Sequence, residues 1–473
     1  MSPAARRLVA PLALAQFICS FAGSNMNVMI TDISRDLDVS VAAVQAVITA
    51  FLLVMAVLMI PGSKLTDRWG RKRCFIWGLA LFAVGALLSA AAPGIGVLVF
   101  GNAILEGVGT VLLIPPVYIL TTLAFDDMTS RARAFGVISG LGGIGAAAGP
   151  LIGGFITTGL SWRAAFGFQA LVVLLIIVLS RRITDPLPPD PSRPFDVIGS
   201  VLSAVGMLFL VCGILVADTD PALTAIFMAV GAVVLAGFFA YVRSRERAGK
   251  EALLSLALFR NRTSNLGLVT QNVQWLLLMG VSFVVSVFLQ TVRGYNAVQT
   301  GVVFTAVTVG LLASSLAAAR LAQRHPQRTL VMAGFVLTIA GIGLLLGLVG
   351  ASSRVVAFAP GLLLIGLGLG TMLTPSVNIV QSSFAEGLQG EISGLSRSVS
   401  NLGSCFGAAT AGTILVSDLG SGNTTYIWAM VALAVFALGG LAAAAALPRR
   451  AEQPGPAPRP ASVARTSGSG APA

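Results

Sequence analysis

One carboxyl group stands out chemically in this chain. Glu106 lies in an apolar stretch, 97–122, and is the one acidic side chain that the sequence places inside hydrocarbon. An ionised carboxylate at the centre of a bilayer costs about 2.5–3.5 kcal/mol on insertion scales. Such a group must face a cavity, pair with another group, or stay protonated. Asn102, Glu106 and Thr110 recur at i, i+4 and i+8, which places them on one helix face. A carboxyl exposed in turn to each side of a membrane is what proton exchange requires. The other reading is a permanently protonated group that hydrogen-bonds between helices.

More polar side chains recur at helical spacing in other apolar stretches. Gln16, Ser20, Ser24, Asn27 and Thr31 form a stripe, with Asn25 to one side. Gln271, Gln274 and Trp275 share a face beside Asn272, and Asn378 and Gln381 sit in a later stretch. The candidate substrate contacts are therefore Ser24, Asn25, Asn27, Asn102, Glu106, Gln271, Gln274, Trp275 and Asn378. For any one of them, hydrogen bonding between packed helices is the plainer account, at about 0.6 kcal/mol per bond. Arg397 can reach such a cavity or snorkel to lipid phosphates.

What must position these groups is a set of membrane helices. Hydrophobic residues make up 56% of the 473, and charged residues only 10%. That leaves a soluble fold of this size too little polar surface to face water. A spanning helix needs ~20 apolar residues. Fourteen such stretches run near 9–31, 41–62, 74–92, 97–122, 134–157, 163–180, 197–217, 221–242, 265–290, 299–319, 329–349, 356–381, 393–416 and 424–447. With the first residues inside the cell, only Arg35, Arg163, Arg293 and Arg354 of the 30 Lys and Arg fall outside. The positive-inside bias thus predicts a multi-pass protein of the plasma membrane with both termini in the cytoplasm. The formal charge of +12 then belongs to loops facing anionic lipid and not to a nucleic-acid surface.

Several function classes are excluded. No soluble catalytic domain is legible, and the single histidine, His325, sits between Arg324 and Arg328 in a loop, so no enzyme is expected. Four cysteines without CxxC spacing predict neither a metal site nor a disulfide framework, and no cofactor is expected. No G-x-x-x-x-G-K-[ST] stretch is present, which argues against direct use of ATP.

The organisation reads as a cytoplasmic start at 1–8, six helices over 9–182, a linker and accessory helix pair over 183–250, six helices over 251–448, and a disordered cytoplasmic tail at 449–473. The linker is marked by Pro186, Pro188, Pro189, Pro191 and Pro194, and the tail by Pro, Ala, Ser and Gly. Ser63–Arg68 has a faint echo in Ala319–Arg324, as internal repeats of transporters would leave.

Three segments point to a family. Ser63-Lys64-Leu65-Thr66-Asp67-Arg68-Trp69-Gly70-Arg71-Lys72-Arg73 closely resembles the cytoplasmic loop signature of the major facilitator superfamily, G-x-L-x-D-R-x-G-R-[KR]-[KR]. Gly145-Ala-Ala-Ala-Gly149-Pro150-Leu-Ile-Gly153-Gly154 resembles its fifth-span antiporter signature. Trp162-Arg163 and Pro194-Phe195-Asp196-Val197-Ile198-Gly199 are similar to the fourteen-span drug:proton antiporter branch. The resemblance covers roughly residues 10–447. It implies two six-helix bundles plus two extra helices around a central cavity, in an all-α membrane protein acting as a monomer. Asp67, Arg68, Gly70, Arg71 and Arg133 would form a contact that is made in one conformation and broken in the other. Gly145, Gly149, Pro150, Gly153 and Gly154 would let two backbones approach closely.

The chain also departs from that branch. Its usual L-D-x-T-V-V-N-V reads Phe21-Ala22-Gly23-Ser24-Asn25-Met26-Asn27-Val28, so the membrane aspartate has become Ala22. The usual R-x-x-Q-G-x-G reads Ala103-Ile104-Leu105-Glu106-Gly107-Val108-Gly109, replacing the arginine with Ala103 and the glutamine with Glu106. The expectation is a secondary transporter that exports hydrophobic or amphipathic compounds by alternating access, driven by protons through Glu106. The alternative is an exporter or facilitator of an endogenous lipid or metabolite without that coupling.

Overall fold

The computed structural model describes residues 3–125, 128–181, 183, 185, 195–216, 220–351, 355–384, 389–416 and 423–448. All regular structure among them is helical. The chain begins with α1 (Pro3–Asn25), a short α2 (Ile30–Asp36), α3 (Val41–Trp69) and α4 (Arg71–Ala90). A brief α5 (Ile95–Leu98), a π-helical segment (Val99–Glu106) and α6 (Gly107–Ala124) make the next long rod. Then come α7 (Met128–Gly159), α8 (Trp162–Ser180), and the accessory pair α9 (Val197–Leu215) and α10 (Pro221–Arg247). The second half holds α11 (Arg262–Val287), continued by a π-helical turn at Phe288–Val292, then α12 (Ala297–Arg324) and α13 (Gln327–Ala351). It ends with α14 (Ala359–Gln381), α15 (Gln389–Val416) and α16 (Asn423–Ala445).

Among the described residues, twelve helices are long and apolar enough to cross a membrane. The number is thirteen if the two parts of α7, Gly140–Ala146 and Ala148–Gly159, bent by 44°, count as one span. Pro150, which cannot donate to the helix ladder, follows that bend. α15, 28 residues long, is not among these twelve. The protein is thus an all-helical, multi-pass membrane protein.

Local chemistry sets the ends of these rods. Ser40 caps α3 by accepting the Ala43 amide at 3.1 Å, Asp220 caps α10 with Pro221 as its first residue, and Asn296 and Gln299 close a capping box on α12. Between α3 and α4 the chain turns at Gly70 with φ +93°, a conformation that side chains rarely tolerate. That requirement accounts for the glycine within the loop signature.

Two groups of helices emerge. In the first, α1 packs on α7 and α8, and α4 packs on α6 and α8. In the second, α13 and α12 pack on α14, and α11 packs on α15 and α16. The groups meet along two seams, α3 against α15 and α7 against α12. The accessory α9 lies against both α3 and α15, at one seam, whereas α10 packs mainly on α9 and presents most of its surface outward. One end of the assembly carries Lys64, Arg68, Arg71, Arg181, Arg245, Arg262 and Arg328, and we call it the basic end. The other carries Asp32, Asp36 and Asp220.

Candidate functional site

The glycines of α7 serve both sides of the molecule. Gly145, Gly149 and Gly153, spaced by four, press on α1: a Cβ at Gly145 would strike the Phe17 carbonyl, at Gly149 the Ser24 hydroxyl, and at Gly153 would lie 3.1 Å from the Asn25 Cβ. Gly154 instead abuts the Ala297 carbonyl on α12, and the Pro150 carbonyl lies against Gly301, 2.6 Å from where a Cβ would stand. One helix is thereby wedged between the two groups through small residues, with backbones close enough for sliding contact.

The other seam is polar at intervals. Gln45 Nε2 donates to the Ala408 carbonyl at 3.3 Å, Cys405 Sγ to Thr49 O at 3.6 Å, and the Ser398 hydroxyl to the Ala56 carbonyl. At the basic end Lys64 Nζ pairs with Glu391 Oε1 at 2.8 Å. Lys64 belongs to the loop signature, so that loop touches the second group directly. Within it Arg71 is buried and Arg68 half-buried. The side chains of Asp67 and Arg133, which the sequence pairs, lie outside the described residues.

At the opposite end α1 and α11 are clamped together. Asn27 follows the last turn of α1, and its carbonyl accepts Ser286 Oγ and Gln290 Nε2, both at 2.9 Å. Gln290 Oε1 accepts Thr31 Oγ1 at 2.9 Å and the Thr31 amide at 3.3 Å. Gln290 sits in the π-helical turn that extends α11, where one extra residue re-aims the side chain. The sequence reading missed Gln290; its only signal was a glutamine four residues after Ser286 in an apolar run.

Glu106 occupies a different environment. It closes the π-helical segment, has no exposed surface, and packs its Cγ where a Cβ on Gly85 of α4 would lie 2.9 Å away. Neither carboxyl oxygen makes a hydrogen bond of ordinary length and angle, although Asn102 and Ser89 are the nearest polar side chains. Asn102 is buried beside it, and Thr110 donates to the Glu106 carbonyl at 2.8 Å. Asn102 and Glu106 lie together on the α4 side, whereas Thr110 stands beside Cys19 on α1.

The remaining candidates are dispersed. Ser24 donates to carbonyls of its own helix, and Asn25 is buried against α7 with no partner for its amide among the described residues. Gln271 accepts Ser396 Oγ at 2.9 Å and Gln274 donates to Leu369 O at 3.3 Å, which ties α11 to α15 and α14. Trp275 packs half-buried on the main core, and Asn378 is exposed. The structure therefore brings Asn102 to Glu106, and Ser24 and Asn25 to α7, without joining these sets.

A separate cluster spans the two groups. Arg397 of α15 lies over the ring of Tyr118 on α6, 4.6 Å from its centroid, and Tyr118 Oη donates to Gln16 Oε1 at 3.2 Å. Gln16 also donates to Ser20 at 3.2 Å. Cys19 stands next along α1, beside Thr110 and within electrostatic reach of both Glu106 and Arg397. The sequence flagged Gln16 and Arg397; Tyr118, two residues past Pro115-Pro116, carried no such signal.

The comparisons agree with this architecture. The profile described as Major Facilitator Superfamily matches residues 12–408 and 272–469. The chain is 30% identical to the puromycin resistance protein pur8 of Streptomyces alboniger, over 85% of this chain and 80% of that one. It is also 30% identical to a tetracenomycin C resistance and export protein of Streptomyces glaucescens, over 82% and 72%. The riboflavin transporter RibZ of Clostridioides difficile is 24% identical over 86% and 88%. In fold it resembles a crystal structure of a POT peptide transporter in complex with alafosfalin, with a TM-score of 0.68 over 93% of this chain and 94% of that one, at 16% identity. Helix order, the two seams, the loop and fifth-span signatures and these matches lead to one conclusion: the chain belongs to the major facilitator superfamily.

Proposed function

We propose that this protein exports hydrophobic or amphipathic compounds across the plasma membrane by alternating access, driven by inward proton flow through Glu106. The observation that carries the transport reading is α7 wedged by glycines between α1 and α12, a joint on which two bundles can rock. The relatives named for resistance and export support the direction of transport. In this reading fourteen helices span the membrane, with α15 the fourteenth, whose polar side chains face protein rather than lipid. The bundles occupy 9–182 and 251–448, the accessory pair 183–250. Both termini are cytoplasmic, the basic end faces the cytoplasm, and the monomer is the working unit.

Proton coupling through Glu106 draws support from its place at the end of a π-helical segment, where a helix can change register. Such a shift would carry the sealed carboxyl toward Cys19 and the space around Arg397. A second reading has one specific observation in its favour: Glu106 is sealed from solvent against α4, and Ala22 and Ala103 supply no other coupling group. The protein would then export or equilibrate an endogenous lipid or metabolite without proton flow.

Proteoliposomes with an imposed pH difference and a trapped pH indicator separate these readings, using rhodamine 123, Nile red and fluorescein as probes. Proton-driven export predicts accumulation of at least one dye against its gradient with matching proton counterflow, both lost in Glu106→Gln. Accumulation of no dye overturns the proton-driven reading. Retained pH-driven movement in Glu106→Gln removes Glu106 from it.

A further inference from the structure

Arg397 is a half-buried guanidinium with no ion pair among the described residues. It lies eight residues into α15, about 12 Å along the helix axis from its start. Its neighbours fix which way it faces. Ser398 bonds to Ala56 on α3 and Ser396 to Gln271 on α11, so Arg397 projects in a third direction, toward α6 and α1. There it lies over the Tyr118 ring, which donates to Gln16, and within electrostatic reach of the Cys19 thiol. The described ion pairs include Lys64–Glu391, Arg163–Asp36 and Arg245–Asp196, and none involves Arg397. No hydrogen-bond acceptor among the described residues engages it either. Glu106, in the other bundle and within electrostatic reach of the same Cys19, packs its side chain against Gly85 of α4.

A cation at membrane depth is costly unless it is paired. One aromatic face gives it about 0.5–2 kcal/mol, too little to replace a counter-charge. Its named surroundings are the Tyr118 ring, the Gln16 amide that accepts from Tyr118, and the Cys19 thiol within electrostatic reach. A planar guanidinium with free edges matches the two oxygens of a carboxylate, and Tyr118 offers a ring for stacking.

We propose that Arg397 is the anchor of a substrate site for aromatic amphipathic anions, compounds with an ionised carboxylate on a flat hydrophobic body. The carboxylate takes the guanidinium edge, and the ring system lies against Tyr118 between α1, α6 and α15. Because α6 and α15 belong to different bundles, the bound anion bridges the parts that must move. This assignment rests on the export reading and narrows its substrate class.

Fluorescein and rhodamine 123 share a three-ring scaffold but carry opposite charge near neutral pH. Each is titrated by fluorescence anisotropy against the full-length protein in lipid nanodiscs, as wild type, Arg397→Gln and Arg397→Lys. The wild type is expected to bind fluorescein at least about 10-fold more tightly than rhodamine 123. Arg397→Gln should weaken fluorescein at least about 10-fold while leaving rhodamine 123 unchanged or tighter, and Arg397→Lys should retain part of the loss. Absence of the wild-type preference, a reading that needs no variant to fold, overturns the proposal. So does fluorescein binding in Arg397→Gln within about two-fold of wild type, which would leave Arg397 a latch between bundles or a lipid-phosphate contact. If fluorescein binds through Arg397 but no dye crosses energised proteoliposomes, the export reading fails and this site stands. If rhodamine 123 is exported and Arg397→Gln leaves the dye preference intact, export stands and this site fails.

Discussion

Lys64 and Glu391 join the two bundles at the basic end, 2.8 Å apart, and the second oxygen of the same carboxylate accepts the Ser255 amide at 2.9 Å. One side chain of α15 thus holds α3 and the segment that leads from the accessory pair into α11. Both partners are largely shielded from solvent, so screening is incomplete. Breaking the pair in Glu391→Gln should cost this closed arrangement about 1 kcal/mol, which shifts the equilibrium toward opening at the basic end about five-fold. Spin-label distances between α3 and α15 read that shift. The exchanged pair, Lys64→Glu with Glu391→Lys, should recover most of it; equal distances in wild type and Glu391→Gln would show that the pair does not hold the seam.

Gln290 plays the corresponding part at the opposite end, with four contacts to Asn27, Thr31 and Ser286. These groups are largely buried, so a hydrogen bond lost here is not fully replaced by water. Gln290→Ala should destabilise the clamped state by about 1–3 kcal/mol. It should also raise the rate at which maleimide labels a cysteine placed at Thr31. Gln290→Glu keeps the acceptor but loses the Nε2 donors to Asn27, and is expected to fall between the two.

The α7 wedge predicts unequal effects of one methyl group. Gly154→Ala would drive a Cβ into the Ala297 carbonyl, whereas a Cβ on Gly140 meets nothing within 4 Å. Overpacking of this kind costs about 1–3 kcal/mol. Replacing a helix-interior glycine without a clash gains about 0.5–1 kcal/mol. Gly154→Ala should therefore lower the melting temperature and slow transport, while Gly140→Ala keeps transport and melts slightly higher. Indistinguishable melting temperatures for the two variants would contradict the close α7–α12 approach.

Asp36 provides a pH test outside the membrane-spanning segments. Arg163 and the Trp162 Nε1–H both donate to its carboxylate, which holds it below the ordinary carboxylate range. A depressed folded value means the contact stabilises fully above the unfolded carboxylate value near 4 and is lost as pH falls through the lower folded value. Asp36→Asn should thus melt below wild type at about pH 7, and the difference should close toward about pH 3. Between about pH 5 and 8 the difference should be constant, so any transport change in that window arises elsewhere.

Much of this was legible in the residues, for physical reasons. Twenty-residue apolar runs leave a helix no option but to span or be buried, and the glycines at 145, 149, 153 and 154 announce close packing by size alone. Gly70 was legible only as part of the loop signature, and the positive φ of its turn is seen in the structure. Direction was not legible. Spacing put Asn102, Glu106 and Thr110 on one face but could not say what it meets: Glu106 packs on α4, with Asn102 beside it, while Thr110 stands beside Cys19 on α1. The two π-helical stretches were equally silent, since nothing in Val99–Glu106 or Phe288–Val292 marks the extra residue that turns Glu106 and Gln290. Gln271 and Gln274, which spacing offered as cavity lining, bond to Ser396 and Leu369 within one bundle, a tie that helical spacing also permits.

The packing of Glu106 on Gly85 gives a test independent of any transported compound. A Cβ at Gly85 would lie 2.5 Å from the Gly101 carbonyl and 2.9 Å from the Glu106 Cγ, both inside van der Waals contact. The carboxyl sits in a slot that exists because α4 has no side chain there. Gly85→Ala should cost about 1–3 kcal/mol through forced displacement of the π-helical segment. Glu106→Gln, of the same shape, should be tolerated, with a melting temperature at or above wild type because an unpaired acid has been removed from the interior. Combined, the two should couple, because Cβ and side chain compete for one space: Gly85→Ala with Glu106→Ala is expected to recover part of the loss seen in Gly85→Ala. Strict additivity of those two melting shifts would mean the carboxyl does not occupy the slot against α4.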